Sequence, residues 1–164
     1  ILAYTQRNLV AAIGGENRLK VALQELRDQF HYILIDCPAN LSTLTTNALA
    51  AADSVLLVTK PEFADGASLI AFNRQVEQLR RYLNPALKTS GVLVNLHEPH
   101  LTLHREALAG LSKLDDMLPF TIRKATDIAK AAAQGKALFE FIPKHPMVAA
   151  VKRLADHIEG ESNV

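Results

Sequence analysis

Tryptophan is absent from this chain, cysteine occurs once, and aromatic residues make up only 5% of its 164 positions. A lone cysteine, Cys37, excludes an intramolecular disulfide and a cysteine-based metal site. It fits a reducing cytosol. With no His close by in sequence, Cys37 is expected to be a small interior residue rather than a nucleophile. Net charge is also scarce: 18 Lys and Arg stand against 17 Asp and Glu, leaving +1. That total argues against a strongly basic nucleic-acid surface, while leaving room for a local patch. No apolar stretch approaches the roughly 18 residues that span a bilayer, and no signal peptide is recognisable.

What the chain does contain is a core. Apolar residues make up 49% and charged residues 21%, the balance of a globular domain of ordinary size. A single domain over residues 1–159 is expected, with 160–164 as a disordered tail. The strand-like run Ile1 to Tyr4 opens the chain in the manner of a domain's middle rather than its start.

Helical and apolar patterns alternate from there. Thr5 can cap a short helix carrying Leu9, Val10 and Ile13 and ended by Gly14-Gly15. Leu19, Leu23, Leu26 and Phe30 recur at spacings of four, three and four, which predicts one buried helical stripe. A helix rich in small residues is expected over 41–52. Ser54 to Thr59 and Gly91 to Leu96 read as buried strands. Asp65 is placed as the cap of a long helix with Leu69, Phe72, Val76, Leu79 and Leu83 inward, ended by Asn84-Pro85. Thr102 opens a helix through Leu108 and Leu111. Met117 to Ile122 is a short extended segment broken by Pro119, and Thr126 to Gln134 is a helix closed by Gly135. Phe139-Glu140-Phe141 reads as a brief extended piece. The last helix, after Pro146, carries Val148, Val151, Leu154, Ala155 and Ile158 on one face. Strands alternating with helices of this length predict an α/β fold, an open and mostly parallel sheet with helices on both faces.

One stretch organises the rest: Tyr32-Ile33-Leu34-Ile35-Asp36-Cys37-Pro38. Four apolar residues without alternation predict a strand buried on both faces. Asp36 follows at its carboxyl end, the edge where open α/β sheets bind ligands, and Pro38 forces a turn. An acid delivered there is how P-loop nucleotide hydrolases hold magnesium, usually through a water. The same pattern also admits a plain Asp capping the next helix.

This stretch, followed by Leu44-Thr45, Asn47-Ala48-Leu49, Ala51 to Leu56 and Pro61-Glu62-Phe63, resembles the middle of ParA-type ATPases of the ParA/MinD group. The resemblance continues through Gly91 to Asn95, Pro119 with Ile122-Arg123, and Gly135-Lys136-Ala137, so it covers essentially the whole chain. It implies a P-loop NTPase-like fold and an ATP hydrolase that segregates plasmids or chromosomes or positions cargo. Asp36 matches the acid that contacts magnesium through water. Cys37 and Pro38, with Ala39 and Asn40, match the loop that senses the γ-phosphate, although Ala39 stands where the family usually has a second proline. Asn95 matches a position that reads the adenine ring, and also fits a strand-end Asn bonding its own loop backbone. Pro119 to Arg123 would close over the base.

No Gly-rich loop with Lys before Ser or Thr occurs, and Gly14-Gly15 leads to Glu16-Asn17. That loop supplies the N–H cradle and lysine for the phosphates. The chain therefore reads as the carboxyl-terminal two-thirds of such an ATPase, incomplete at its amino end. It is not expected to hydrolyse ATP by itself.

By resemblance, the complete protein uses ATP and magnesium, dimerises, and binds DNA non-specifically through Arg123, with Lys124, Arg105 and Lys88 as companions and His100 replacing a further arginine. A ParB-like adaptor and a cytoplasmic, nucleoid-associated location follow from the same resemblance. The alternative is a non-catalytic relative that keeps the sheet as an interaction scaffold. His97, His100 and His104 invite a metal reading, but Pro99 interrupts them and no acid completes a set. The last helix mixes Lys152, Arg153, Asp156, His157 and Glu159 on its polar side, which favours packing on the sheet over membrane anchoring.

Overall fold

A computed structural model describes residues 14–38 and 40–162. The expectations placed on Ile1 to Ile13 and on Ala39 lie outside these residues. After a 3-10 turn at Gly15–Asn17, the helices are α1 (Arg18–Arg27), α2 (Thr43–Ala51), α3 (Phe63–Tyr82), α4 (Thr102–Leu111), α5 (Asp127–Ala133), α6 (Leu138–Phe141) and α7 (Pro146–Ser162). The strands are β1 (Ser54–Thr59), β2 (Lys88–His97) and β3 (Met117–Arg123), in the sheet order β1-β2-β3. The fold is α/β, a parallel sheet with helices, as the alternation of patterns predicted. The chain divides into two compact units, Ile1–Val55 with Ser68–Thr89, and Leu56–Ala67 with Ser90–Val164.

The first unit is built on α2. Ser42 caps it, its Oγ accepting the Thr45 N–H at 3.4 Å. Its alanines lie almost flush with their neighbours, Ala48 and Ala51 at 4% and 5% exposed, so α3 can approach closely and bury Leu49, Val76 and Leu87 against Phe72 and Leu79. Each such side chain contributes about 1.5–3 kcal/mol on leaving water. Two buried amides then satisfy helix-end groups. Asn84 Nδ2 donates to the Leu49 and Ala52 carbonyls at 2.9 and 2.7 Å, which closes the carboxyl end of α2. Asn47 Nδ2 donates to the Gly15 and Thr43 carbonyls, and its Oδ1 accepts the Leu19 N–H, tying the start of α1 to α2.

Two sequence expectations fail in this unit. Tyr32 to Ile35 is neither a strand nor buried: the backbone carries no ladder, Leu34 is 84% exposed, and Tyr32 and Phe30 are exposed too. A strand is defined by its neighbours, and among the described residues none pairs with this run. The stripe of α1 is likewise not a core stripe. The helix buries no residue, and Leu26 is exposed.

In the second unit β2 is the middle strand. Val92, Leu93 and Val94 are buried on both faces, at 3%, 2% and 0% exposure. Gly91 has φ +119, and a Cβ there would lie 2.8 Å from Leu118 and 3.0 Å from the Asp116 carbonyl, so only glycine lets β3 come this close. Strand β3 pairs with β2 in parallel, and Pro119 does not break it. Val92 pairs with Met117 and Val94 with Thr121, so two residues of β2 span four of β3, and the irregularity falls on Pro119. Strand β1 is open on one side at its end, where Val58 is exposed between buried Leu57 and Thr59.

Helix α7 packs Met147, Ala150 and Leu154 on Leu93, Leu118 and Ile122. Val151, expected inward, is exposed. Arg153 stacks 4.7 Å over Phe120, and His157 Nε2 donates to the Ser90 carbonyl at 2.7 Å, so the last helix is pinned to the sheet. No described helix is long and apolar enough to cross a membrane. Helix α7 continues through Gly160 to Ser162, into the stretch expected to be a tail. Phe139-Glu140-Phe141 is helical rather than extended, because the Glu140 carboxylate accepts the Ala137 N–H at 3.0 Å and caps a short turn. Helix α3 begins at Phe63, before Asp65, so Asp65 is not its cap. Gly135, at φ +63, ends α5 as expected, with Lys136 and Gly135 N–H groups returning to Ala131 and Ala132.

Candidate functional site

The predicted site residues fall into the two units, three in the first and five in the second. In the first, Asp36, Cys37 and Pro38 lie on the extended run, and all three are exposed. The helix that follows is capped by Ser42, while Thr45 Oγ1 donates to the Asn40 carbonyl at 2.6 Å. Asp36 is thus not the cap of that helix, and the plainer reading of this acid fails. Among the described residues its carboxylate has no hydrogen-bond or ion-pair partner, so its lone pairs are open to a hydrated cation.

Cys37 is exposed rather than interior. Partial desolvation pushes its thiol up from the ordinary value, and the charge of Asp36 adds to this, so the thiolate is disfavoured and nucleophilic chemistry with it.

No group of three or more His, Cys, Asp or Glu among the described residues could enclose a metal. A single free carboxylate fits magnesium, which keeps most of its waters and takes one or two carboxylates plus substrate phosphate. A phosphate cradle is not found at Gly14-Gly15. The Gly15 carbonyl accepts Asn47, the Leu19 N–H donates to Asn47, and the Asn17 N–H closes on the Gly14 carbonyl at 3.0 Å. These groups hold the helix start and are not free to cradle a phosphate.

The second unit holds Asn95, Arg123 and Lys124 at the ends of β2 and β3, Arg105 near the start of α4, and Pro119 within β3 near its start. Asn95 Oδ1 accepts the Leu96 N–H at 2.8 Å, and Leu96 takes φ +57. The local bond foreseen for a strand-end Asn is therefore made, and the Nδ2 donor stays available. Pro119 is exposed. Arg123, opposite His97 in register, is exposed. Lys124 Nζ is paired with Glu98 Oε1 at 3.0 Å, and this bond, with Lys124 charge, holds the Glu98 carboxyl below the ordinary range. Arg105 turns back on Thr102 Oγ1 at 3.1 Å. Lys88 opens β2 and belongs to the first unit, whereas Arg123 belongs to the second.

A network that the sequence did not disclose sits beside these residues. His97 is 8% exposed, its Nδ1 lies 3.0 Å from Thr121 Oγ1, and its Nε2 is buried without a partner among the described residues. Burial first, then the charges of His104 and Arg123, lower its proton affinity. The crowded His97, His100 and His104 were the available signal.

With this geometry in place, the comparisons decide the lineage. The family model AAA_31, described as an AAA domain, matches residues 1–89. The chain is a ParA/MinD-type partition ATPase family member. It is 31% identical over 156 residues to an uncharacterised Mycobacterium tuberculosis protein, covering 94% of this chain and 49% of that protein. It is 30% identical over 145 residues to the sporulation initiation inhibitor protein Soj of Bacillus subtilis, covering 87% and 57%. Among solved structures, the septum site-determining protein MinD of Pyrococcus horikoshii, complexed with Mg-ADP, superposes with a TM-score of 0.73 at 20% identity, covering 90% of this chain and 58% of that one. The chain spans about half the length of the curated relatives it matches first. The match to MinD is one of fold.

Proposed function

We infer that this ParA/MinD-type chain serves, as part of a longer protein, in an ATPase that segregates DNA or positions cargo. Asp36 holds magnesium through a water, and Cys37 and Pro38 lie on the loop that responds to the γ-phosphate. Asn95 offers its Nδ2 to the base, and Pro119 lines the base's other side. ATP with magnesium drives homodimerisation. Arg123, with Lys124 and Arg105, then meets DNA phosphates without sequence preference. A ParB-like adaptor stimulates turnover, and the protein works on the nucleoid in the cytoplasm.

The single observation that carries this reading is the exposed Asp36 carboxylate, without a partner among the described residues, within the stretch that the family model matches. Bound magnesium would supply charge neutralisation on the phosphates; this chain's own part is to orient that ion's water shell. Ser42, not Asp36, caps the helix that follows.

The test is turnover by the complete protein with Asp36→Ala. Hydrolysis is expected to fall at least a hundredfold, with circular dichroism unchanged, because Asp36 carries no structural bond among the described residues. Unchanged hydrolysis would remove Asp36 from the role. An intact protein that binds partner protein but never hydrolyses ATP would leave the scaffold reading in its place.

A further inference from the structure

Three histidines fall within the eight residues from His97 to His104, and one of them makes a hydrogen bond that only a bare ring nitrogen can make. His104 Nδ1 accepts the backbone N–H of Glu98 at 3.1 Å. A backbone N–H is only a donor, so Nδ1 carries no proton here and the neutral ring keeps its hydrogen on Nε2. That tautomer also withdraws His104 Nε2 as a metal ligand, which disposes of a two-histidine metal site.

A proton added to His104 goes to Nδ1. Donor then faces donor, and the bond to Glu98 is lost. The surroundings are already crowded with positive charge. The groups around the turn are His97, its ring 6.5 Å from His104, with Arg123 beside it, then Lys124 and His100, both on Glu98 at 3.0 and 3.9 Å. Glu98 is the one acid among these groups.

The turn is held from both ends. Leu96 sits at φ +57, a left-handed conformation that a leucine keeps only when its surroundings impose it. The Lys124 N–H donates to the His97 carbonyl at 3.1 Å, and His97 meets Thr121. Burial, then the charges of His104 and Arg123, make His97 give up its proton more readily than an ordinary histidine.

We propose that His104 is a proton-released latch on the turn Leu96 to Leu101. Neutral, it holds the Glu98 backbone and keeps the Glu98 carboxylate on Lys124; protonated, it lets the turn go and frees Lys124. Opening is confined to the turn, because the His97 anchor remains. No ligand takes part, so the latch stands apart from the ATPase reading.

The experiment is amide exchange on the 164-residue chain from pH 8 to pH 5, read as the protection factor of the Glu98 N–H with the His104 ring shift followed in parallel. In the wild type, protection is expected to fall at least tenfold, with a midpoint that coincides with the His104 titration. His104→Asn supplies a side-chain acceptor that does not titrate, and should keep Glu98 protected across the range. His104→Phe should leave it unprotected throughout. His100→Gln should leave the step in place. Constant protection in the wild type overturns the latch, as does a step that survives in His104→Asn or vanishes in His100→Gln. Should His104→Asn fold poorly, a mismatch between the wild-type ring titration and the loss of protection overturns it equally.

Discussion

Two apolar runs in this chain are close in composition and opposite in fate. Val92-Leu93-Val94 is almost wholly withdrawn from water, whereas in Tyr32-Ile33-Leu34-Ile35 the central Leu34 is 84% exposed. Local sequence does not separate them, since each is an unbroken apolar stretch with helix on either side. Neighbours do. Strand β2 lies between β1 and β3, and α7 covers Leu93, while the run at 32–35 has no ladder partner among the described residues. An apolar run states how much surface can be buried; a second strand decides whether it is.

Truncation is the strongest way to break this comparison. Leu93→Ala should cost about 2–5 kcal/mol in urea unfolding, the range for a leucine removed from a packed core. Leu34→Ala should change stability by less than about 0.5 kcal/mol, as for an exposed position. Equal losses at the two sites would mean that Leu34 is buried in solution and that the contrast is not real.

The next effect concerns polar anchors. Asn84→Ala strands the Leu49 and Ala52 carbonyls at the end of α2, and a loss of about 1–3 kcal/mol is expected in the same measurement. A neutral result would show that water reaches those carbonyls and that the first unit does not depend on this closure.

The smallest effect is pH-dependent and sits at the far end of β2. The unfolded chain protonates His97 around the ordinary value of 6.5, and the folded chain only at lower pH. Unfolding therefore takes up a proton between those two values. The stabilisation from neutral His97 is complete above about pH 6.5 and is lost as pH falls towards the folded value. Comparing urea midpoints of the wild type and His97→Gln at pH 7.5, 6 and 5 should show a shallower acid decline in the variant. Parallel declines would show that the burial of His97 is not felt as a titration.

Much of the fold was legible in the residues. The β1 bounds, the α3 stripe at Leu69, Val76 and Leu79, the Gly135 stop and the parallel sheet followed from periodicity and punctuation. Phe139 to Phe141 was misread because a three-residue apolar piece has no period, and a side-chain cap from Glu140 chose helix. The candidate site was legible only as single residues. Asp36 and Asn95 could be named from the ends of apolar runs, and the local bond at Asn95 with them, but the pairing of Lys124 with Glu98 joins positions 26 apart and that of His97 with Thr121 positions 24 apart. Lys88 and Arg123 are both basic in sequence, and only the fold shows that one opens a strand and the other closes its neighbour.

The order of residues by itself determined the alternation of helix and strand, the family to which the chain belongs, and the placement of an acid directly after an apolar run. Each of these depends on local spacing or on short side-chain patterns, which a linear chain carries intact. Tertiary structure alone decided which apolar run is sealed from water, which asparagine closes a helix end, and which imidazole is buried. Those outcomes depend on a partner distant in sequence arriving within about 3 Å, where desolvation and hydrogen-bond geometry set the energy.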